Sequence, residues 1–298
     1  MSNKQKSAFI AIVGKPNVGK SSLLNKLLGE KIAIVSAKPQ TTRTRITGVL
    51  TKEDTQLIFI DTPGMHKPRT VLSEYMVRQV TGSIADVDLA VLIVEPGLGF
   101  NAAEKELIAC LEQQKIPAIA VINKIDTVRS KDMLIPRMDE LSKAYAFEEI
   151  VPVCALTGSG LDLLTDLFIA HADEGPHFFP DDALTDQPER VICAELIREK
   201  VLICMHDEIP HGIAVTIENM TERPDSPITD ISAVIYCEKN SHKGMVIGKG
   251  GLMLKRIASM ARVDIEAFLG QKVNLQFWVK VKEDWRNEER FIKNFGFN

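Results

Sequence analysis

Gly14-Lys15-Pro16-Asn17-Val18-Gly19-Lys20-Ser21 is the stretch that decides the fold of the first half of this chain. It fits the pattern Gly-x4-Gly-Lys-Ser. Before it runs the short, β-prone apolar stretch Ala8 to Val13. After it, Ser22-Leu23-Leu24-Asn25-Lys26-Leu27-Leu28 reads as a helix. A strand, a glycine loop and a helix in that order build a cradle for phosphates. Glycines let backbone N–H groups close around the phosphates without Cβ clashes, and the helix N-terminus adds partial positive charge. The candidate phosphate-binding residues are therefore Gly14, Lys15, Pro16, Asn17, Val18, Gly19, Lys20, Ser21 and Ser22. In this motif the lysine, Lys20, reaches the β- and γ-phosphates, and the hydroxyl of Ser21 holds Mg²⁺.

Two more segments follow in the order that a nucleotide switch needs. Leu57-Ile58-Phe59-Ile60-Asp61-Thr62-Pro63-Gly64 reads as a buried strand ending in an acid and a glycine. Asp61 can hold Mg²⁺ through water, and the Gly64 N–H can meet the γ-phosphate; alone, Asp-Thr-Pro-Gly is a common turn. Ala118-Ile119-Ala120-Val121-Ile122-Asn123-Lys124-Ile125-Asp126 delivers Asn-Lys-x-Asp from a third apolar strand into a loop. A carboxylate there accepts two hydrogen bonds from guanine, at N1–H and the 2-amino group. Adenine offers neither, so it would leave Asp126 desolvated and unpaired. Sites built on hydrogen bonding of this kind discriminate by ~10⁴ or more. Asn123, Lys124 and Asp126 are thus base-site candidates. Cys154-Ala155-Leu156, after the strand Ile150 to Val153, can bring a backbone N–H to the guanine O6.

Together these residues resemble the translation-factor-type GTPases of the Ras-like superfamily. The resemblance implies GTP and GDP as ligands, Mg²⁺ as cofactor, and Lys20, Thr42 and Gly64 as catalytic residues. Between the phosphate loop and Asp61 lies Lys38-Pro39-Gln40-Thr41-Thr42-Arg43-Thr44-Arg45. In the family a threonine here closes on Mg²⁺; the likeness favours Thr42, with Thr41 and Thr44 as alternatives. Met65 stands where Ras-like enzymes place a water-orienting Gln, so intrinsic hydrolysis is expected to be slow. Many members with a hydrophobic residue there carry Asn at the Asn17 position, where it helps to bind K⁺. Cys154 replaces the usual Ser.

At 298 residues, with 45% apolar and 26% charged residues, the chain reads as one or two ordinary globular domains. It has no apolar run of about 18 residues, the length that would suggest a membrane span. The polar start Met1 to Lys6 shows no signal peptide. The cysteines, Cys110, Cys154, Cys193, Cys204 and Cys237, are odd in number and dispersed, which suits reduced thiols in cytosol. The net charge of −4 argues against a broadly basic nucleic-acid binder, so any RNA site must be local.

Alternation of apolar strands with helical patterns such as Glu104 to Leu111 and Leu161 to Ile169 predicts an α/β sheet with crossover helices. Arg45 to Leu50, a Lys52-Glu53-Asp54 turn and the Asp61 strand predict a hairpin, hence one antiparallel strand. The expected domains are 6–172 for the nucleotide-binding part, 173–188 for a linker, and 189–298 for a smaller α+β domain. That last region reads as a helix from Glu189 to Met205, strands at Ile213 to Glu218 and Ile231 to Tyr236, and a helix from Leu252. A final strand spans Val273 to Val281. Gly248-Lys249-Gly250-Gly251 fits the Gly-x-x-Gly loop that clamps a single-stranded RNA backbone. Ile247, Gly248, Lys249, Gly250, Gly251, Lys255 and Arg256 are the RNA-binding candidates. Trp278 and Trp285 read as edge and core packing.

This half resembles a KH domain of the bacterial type. A Ras-like GTPase followed by a KH domain resembles a bacterial GTPase family of small-ribosomal-subunit assembly, and the likeness spans nearly the whole chain. Residues 38–43, Phe178-Phe179-Pro180, Ala194 to Lys200 and Trp278 to Lys282 carry it. It implies a monomer that binds small-subunit ribosomal RNA near its 3′ end when GTP is bound, with peripheral association at the inner membrane face. Competing readings are a GTPase of tRNA modification, and a switch whose C-terminal domain binds protein. The Asn-Lys-Ile-Asp string disfavours a P-loop ATPase or kinase.

Overall fold

The computed structural model describes residues 4–38, 40–205 and 209–296. Met1-Ser2-Asn3, Pro39 of the threonine-rich segment and the terminal Asn298 lie outside the described residues. The chain divides into two compact units. One comprises 1–33, 42–69 and 73–186; the other comprises 34–41, 70–72 and 187–298.

The first unit contains β1 (Lys6–Gly14), α1 (Lys20–Leu28), β2 (Ile46–Lys52), β3 (Thr55–Asp61), α2 (Val71–Ala85, all but its first two residues) and β4 (Leu89–Val94). It continues through α3 (Ala102–Gln114), β5 (Ala118–Ile122), α4 (Ile135–Ala144), β6 (Glu149–Pro152), α5 (Leu161–Ala170) and the short β7 (Asp173–Glu174). The sheet order is β2-β3-β1-β4-β5-β6. The five strands from β3 to β6 run parallel and β2 antiparallel, as the hairpin reading expects. Both faces are covered, which explains the unbroken apolar runs of β4 and β5. Ile10 and Ile12 of β1 enter a core with Leu23 and Leu24 of α1 and Phe168 of α5. Ala11 and Val13 enter the opposite core, with Val80 of α2, Leu107 of α3 and Leu141 of α4. The helix read at Glu104 starts earlier, because Asn101 and Glu104 form a reciprocal capping box.

The stretch read as a linker is pinned to this unit. β7 pairs with the start of β1. Gln56 accepts from the N–H groups of Phe178 (2.8 Å) and Phe179 (3.0 Å) and donates to Phe179 O (2.9 Å). Val49 N donates to Leu184 O at 2.8 Å, and Phe178 packs edge-on against Phe9.

In the second unit the order is α6 (Glu189–Cys204), β8 (Ala214–Glu222), β9 (Ile228–Cys237), α7 (Asn240–Ile247), α8 (Leu252–Leu269) and β10 (Lys272–Val281). A short α9 (Glu289–Asn294), not read from the sequence, follows. β9 is central, antiparallel to β8 and parallel to β10. Ile197 of α6, Ile257 and Ala261 of α8, and Ile231 and Ile235 of β9 share its core with Ile34. Segment 34–41 is held there by α6: Val35 N donates to Glu199 Oε1 at 2.8 Å, and Arg198 Nη2 donates to Thr41 O. Trp285 is fully buried, with Nε1 donating to Gly212 O at 3.0 Å. Trp278 sits half-exposed on the edge strand β10. All five cysteines are free, and four of them are buried.

Candidate nucleotide site and nucleic-acid interface

The carboxyl ends of β1, β3 and β5 bring the three sequence motifs to one edge of the first sheet. Lys20 opens α1 and is buried, its Nζ donating to Gly14 O and Lys15 O at 3.1 Å each. Burial lowers its pKa to about 8, opposed by the charge of Asp61. Burial likewise raises Asp61 to about 6, against the pull of Lys20 and hydrogen bonds from Ser21 and the Thr62 N–H. Both shifts have burial as their largest cause, which disfavours the charged forms.

Ser21 Oγ donates to Asp61 Oδ2 at 2.6 Å and lies 2.9 Å from Thr42 Oγ1. Among the described residues, Asp61 Oδ1 is buried without a hydrogen-bond partner. Three hard oxygen groups and one orphaned carboxylate oxygen fit Mg²⁺ chemistry. Of the threonines considered, Thr42 is the one placed beside Ser21. The Thr41 hydroxyl is taken up by Lys38 O (2.6 Å) and Ser36 Oγ (2.7 Å).

Gly64 lies directly against the phosphate loop. A Cβ there would stand 2.7 Å from Cα and N of Pro16. Gly64→Ala is expected to push this turn off the loop and slow phosphate release from GTP in a single turnover. The expected factor is about 10²-fold, the scale for a misplacement of about 1 Å. GDP has no γ-phosphate, so its affinity should change less than the rate. A parental hydrolysis rate would refute the contact. Met65 is buried in the helix-covered core of the first unit, not directed to solvent. Met65→Ala would therefore open a cavity worth about 2–5 kcal/mol, and Met65→Leu is the cleaner probe of this position.

The loop read as the base site carries Asn123, Lys124 and Asp126. Asn123 Nδ2 donates to Val18 O (2.8 Å), and its Oδ1 accepts from Ala155 N (3.0 Å). Lys124 Nζ donates to Asn17 O at 2.6 Å. Asp126 Oδ1 accepts from the Cys154 thiol at 3.1 Å, so the cysteine fills the role of a weak donor to the carboxylate. The N–H of Cys154 is spent on Ser159 O and that of Ala155 on Asn123. Among the described residues, the N–H of Leu156, whose side chain is 80% exposed, is the member of this trio without such a bond. Ser22 follows Ser21 in the first turn of α1. Asn17 is in the left-handed region at φ 64°, which Asn tolerates.

In the second unit Gly248 to Gly251 joins α7 to α8. Gly248, Gly250 and Gly251 all have positive φ (72°, 60° and 79°), and nothing lies within 4 Å of a Cβ at Gly250 or Gly251. Conformation at these two positions, not crowding inside the fold, therefore favours glycine, and it leaves backbone open to a ligand. Lys249, Lys255 and Arg256 are exposed and form no ion pair among the described residues. Met245 (53% exposed) and Leu252 (69%) flank the loop, with Ile247 partly buried between them. Among the described residues no cluster of His, Cys, Asp or Glu forms a further metal site, and no helix is long and apolar enough to cross a membrane.

Comparison with known proteins bears on both halves. A family model described as a 50S ribosome-binding GTPase matches residues 9–124, and a KH-domain model matches 208–286. GTPase Era of Clostridioides difficile is 52% identical over 98% of this chain and 99% of its own length. GTPase Era of Ruminiclostridium cellulolyticum is 50% identical, over 98% and 97%.

The chain belongs to the Era family of GTPases.

A solved structure of a variant of Aquifex aeolicus Era bound to GDP·AlF₄⁻ superposes with a TM-score of 0.95 at 37% identity, covering 98% of this chain and 99% of that one. A structure of Era in complex with MgGDPNP and nucleotides 1506–1542 of 16S ribosomal RNA matches with the same score, identity and coverage. Like other Era proteins, the chain is a GTP-binding and GTP-hydrolysing enzyme with a Ras-like domain followed by a smaller KH domain.

Proposed function

We propose that this protein is a cytosolic guanine-nucleotide switch that binds small-subunit ribosomal RNA near its 3′ end and acts in assembly of the small subunit. The observation that carries this reading is the Era complex with 16S ribosomal RNA, matched over nearly the full length of both chains. The exposed Lys249 of the Gly-Lys-Gly-Gly loop, with Lys255 and Arg256 of α8, supports it: none of the three forms an ion pair among the described residues, and a net-acidic chain needs a local basic site. The matched GTPase model names the large subunit, but it covers only 9–124 and leaves out the KH domain.

In this reading residues 6–172 bind nucleotide and 189–298 bind RNA. Gly14 to Ser22 cradle the phosphates, Ser21, Asp61 and Thr42 hold Mg²⁺, and Lys20 and Gly64 face the γ-phosphate. Bound Mg²⁺ would supply positive charge to the phosphate oxygens. Asp126 reads the guanine edge, Asn123 and Lys124 tie that loop to the phosphate loop, and Leu156 donates its N–H to O6. Lys249, Lys255 and Arg256 take RNA phosphates. The test is filter binding of the full chain to a 3′-terminal small-subunit RNA fragment. Binding should be tighter with GDPNP than with GDP, and tighter than to an unrelated RNA of equal length. Equal affinity for both RNAs in both states would refute the proposal.

Turnover carries its own expectation. With no water-orienting group at Met65, the basal rate should lie near the slow Ras-like level of ~10⁻⁴–10⁻³ s⁻¹. If Asn17 helps to hold K⁺ beside the phosphates, K⁺ should raise that rate more than Na⁺, and Asn17→Ala should abolish the difference. Equal rates of the parent in the two salts would remove the cation from the mechanism.

A further inference from the structure

Glu95 directly follows β4, in the middle of the first sheet. Each of its carboxylate oxygens is taken by a different ammonium group. Lys15 Nζ lies 2.6 Å from Oε2, and Lys124 Nζ lies 2.7 Å from Oε1. Lys15 belongs to the phosphate loop and Lys124 to the base loop. Lys124 Nζ also donates to Asn17 O at 2.6 Å, back into the phosphate loop. One carboxylate therefore ties together the two loops that must grip opposite ends of a nucleotide. The neutral tie made by Asn123 to Val18 O runs beside it.

These side chains are each about a third exposed (30%, 34% and 37% for Lys15, Glu95 and Lys124). Exposed ion pairs contribute little to fold stability. A carboxylate shared between two ammonium groups does more for geometry, because it removes the freedom of both long side chains at once. Burial alone would raise the Glu95 pKa, but the hydrogen bonds from Lys124 and Lys15 outweigh it and hold the group below the usual carboxylate range. Glu95 is thus ionised near neutral pH.

We propose that Glu95 is a positioning residue for nucleotide binding: by anchoring Lys15 and Lys124 to one carboxylate, it fixes the spacing of the phosphate and guanine loops and slows nucleotide release. The inference rests on the assignment of Lys124 and Asp126 to the base loop. No step of hydrolysis is assigned to Glu95, so it acts on residence time and not on chemistry.

The test is stopped-flow release of a fluorescent GDP from the full chain, comparing parent, Glu95→Gln, Lys15→Met and the double variant. Glu95→Gln keeps shape and volume and removes the charge. It should release GDP about tenfold faster, the scale of one lost charge-assisted hydrogen bond. The single-turnover hydrolysis rate at saturating GTP and the unfolding midpoint of the nucleotide-free protein should stay parental. The double variant should release no faster than Glu95→Gln, because both substitutions break the same tie. A parental release rate in Glu95→Gln, additive effects in the double variant, or faster release accompanied by a lowered midpoint would each overturn the proposal. Asp126→Asn serves as the control on its premise. If that variant leaves base preference unaltered, the base-loop assignment fails. If it alters base preference while Glu95→Gln does not speed release, only the positioning role fails.

Discussion

Asp126→Asn should lose affinity for GTP and gain it for xanthosine triphosphate. Asp126 accepts from the Cys154 thiol through Oδ1, which helps to fix the orientation of its carboxylate. Guanine presents two donors, N1–H and the 2-amino group, and a carboxylate answers both. Replacing one oxygen by an amide nitrogen sets donor against donor. Xanthine carries an oxygen at position 2, which accepts from that same amide. The lost bonds involve a charged group, so the expected cost is roughly 1.5–3 kcal/mol, or ~10–100-fold in Kd. Calorimetric titration with both nucleotides measures it. Unchanged GTP affinity would remove Asp126 from base recognition.

Loss of RNA binding is the second large effect, expected from the double variant Lys249→Asp and Gly250→Asp. The fold should survive it. Lys249 is exposed and forms no ion pair among the described residues, and nothing stands within 4 Å of a Cβ at Gly250. Aspartate is also among the residues that tolerate positive φ. What changes is the charge presented to phosphate and the room for close backbone approach. Affinity should fall about equally for all RNA sequences, because backbone contacts position a strand without reading it. Removing the Lys249 contact should flatten the log–log salt dependence by roughly 0.7 for a single-stranded ligand. GTP affinity should stay parental. A double variant with parental affinity and salt slope would place the RNA site elsewhere.

Much of the candidate nucleotide site was legible because its pattern is local. A strand, a glycine loop and a helix N-terminus are contiguous, so Gly14 to Ser22 could be placed from their order alone. The antiparallel β2 was legible for the same reason, since a hairpin needs only a turn between two apolar runs. In the second unit the helix from Glu189, the strands and the helix from Leu252 were legible in apolar patterning and a glycine string, whereas the helix before that string, α7, was not read from it. In each case the information lies within one or two neighbouring elements.

Other features depended on residues far apart in the sequence. Thr41, Thr42 and Thr44 lie in one short string in which family likeness favours Thr42 without excluding the others; the approach of Thr42 to Ser21 is a contact that only the fold makes. Met65 stands where another GTPase carries a polar residue, but packing decides that its side chain is buried. The N–H groups of residues 154–156 could not be ranked until Asn123 and Ser159 claimed two of them. Segment 34–41 reads as part of the nucleotide domain by position, yet α6 holds it through Arg198 and Glu199. Glu95 carries no motif, and nothing short of the fold brings Lys15 and Lys124 to its two oxygens. The ligand chemistry was legible in the chain order, because a glycine loop before a helix and an Asn-Lys-x-Asp string are each made of contiguous residues. Tertiary structure alone decided which hydroxyl stands beside Ser21, which of three neighbouring N–H groups other residues claim, and which carboxylate meets Lys15 and Lys124, because those contacts join strands and loops distant along the chain.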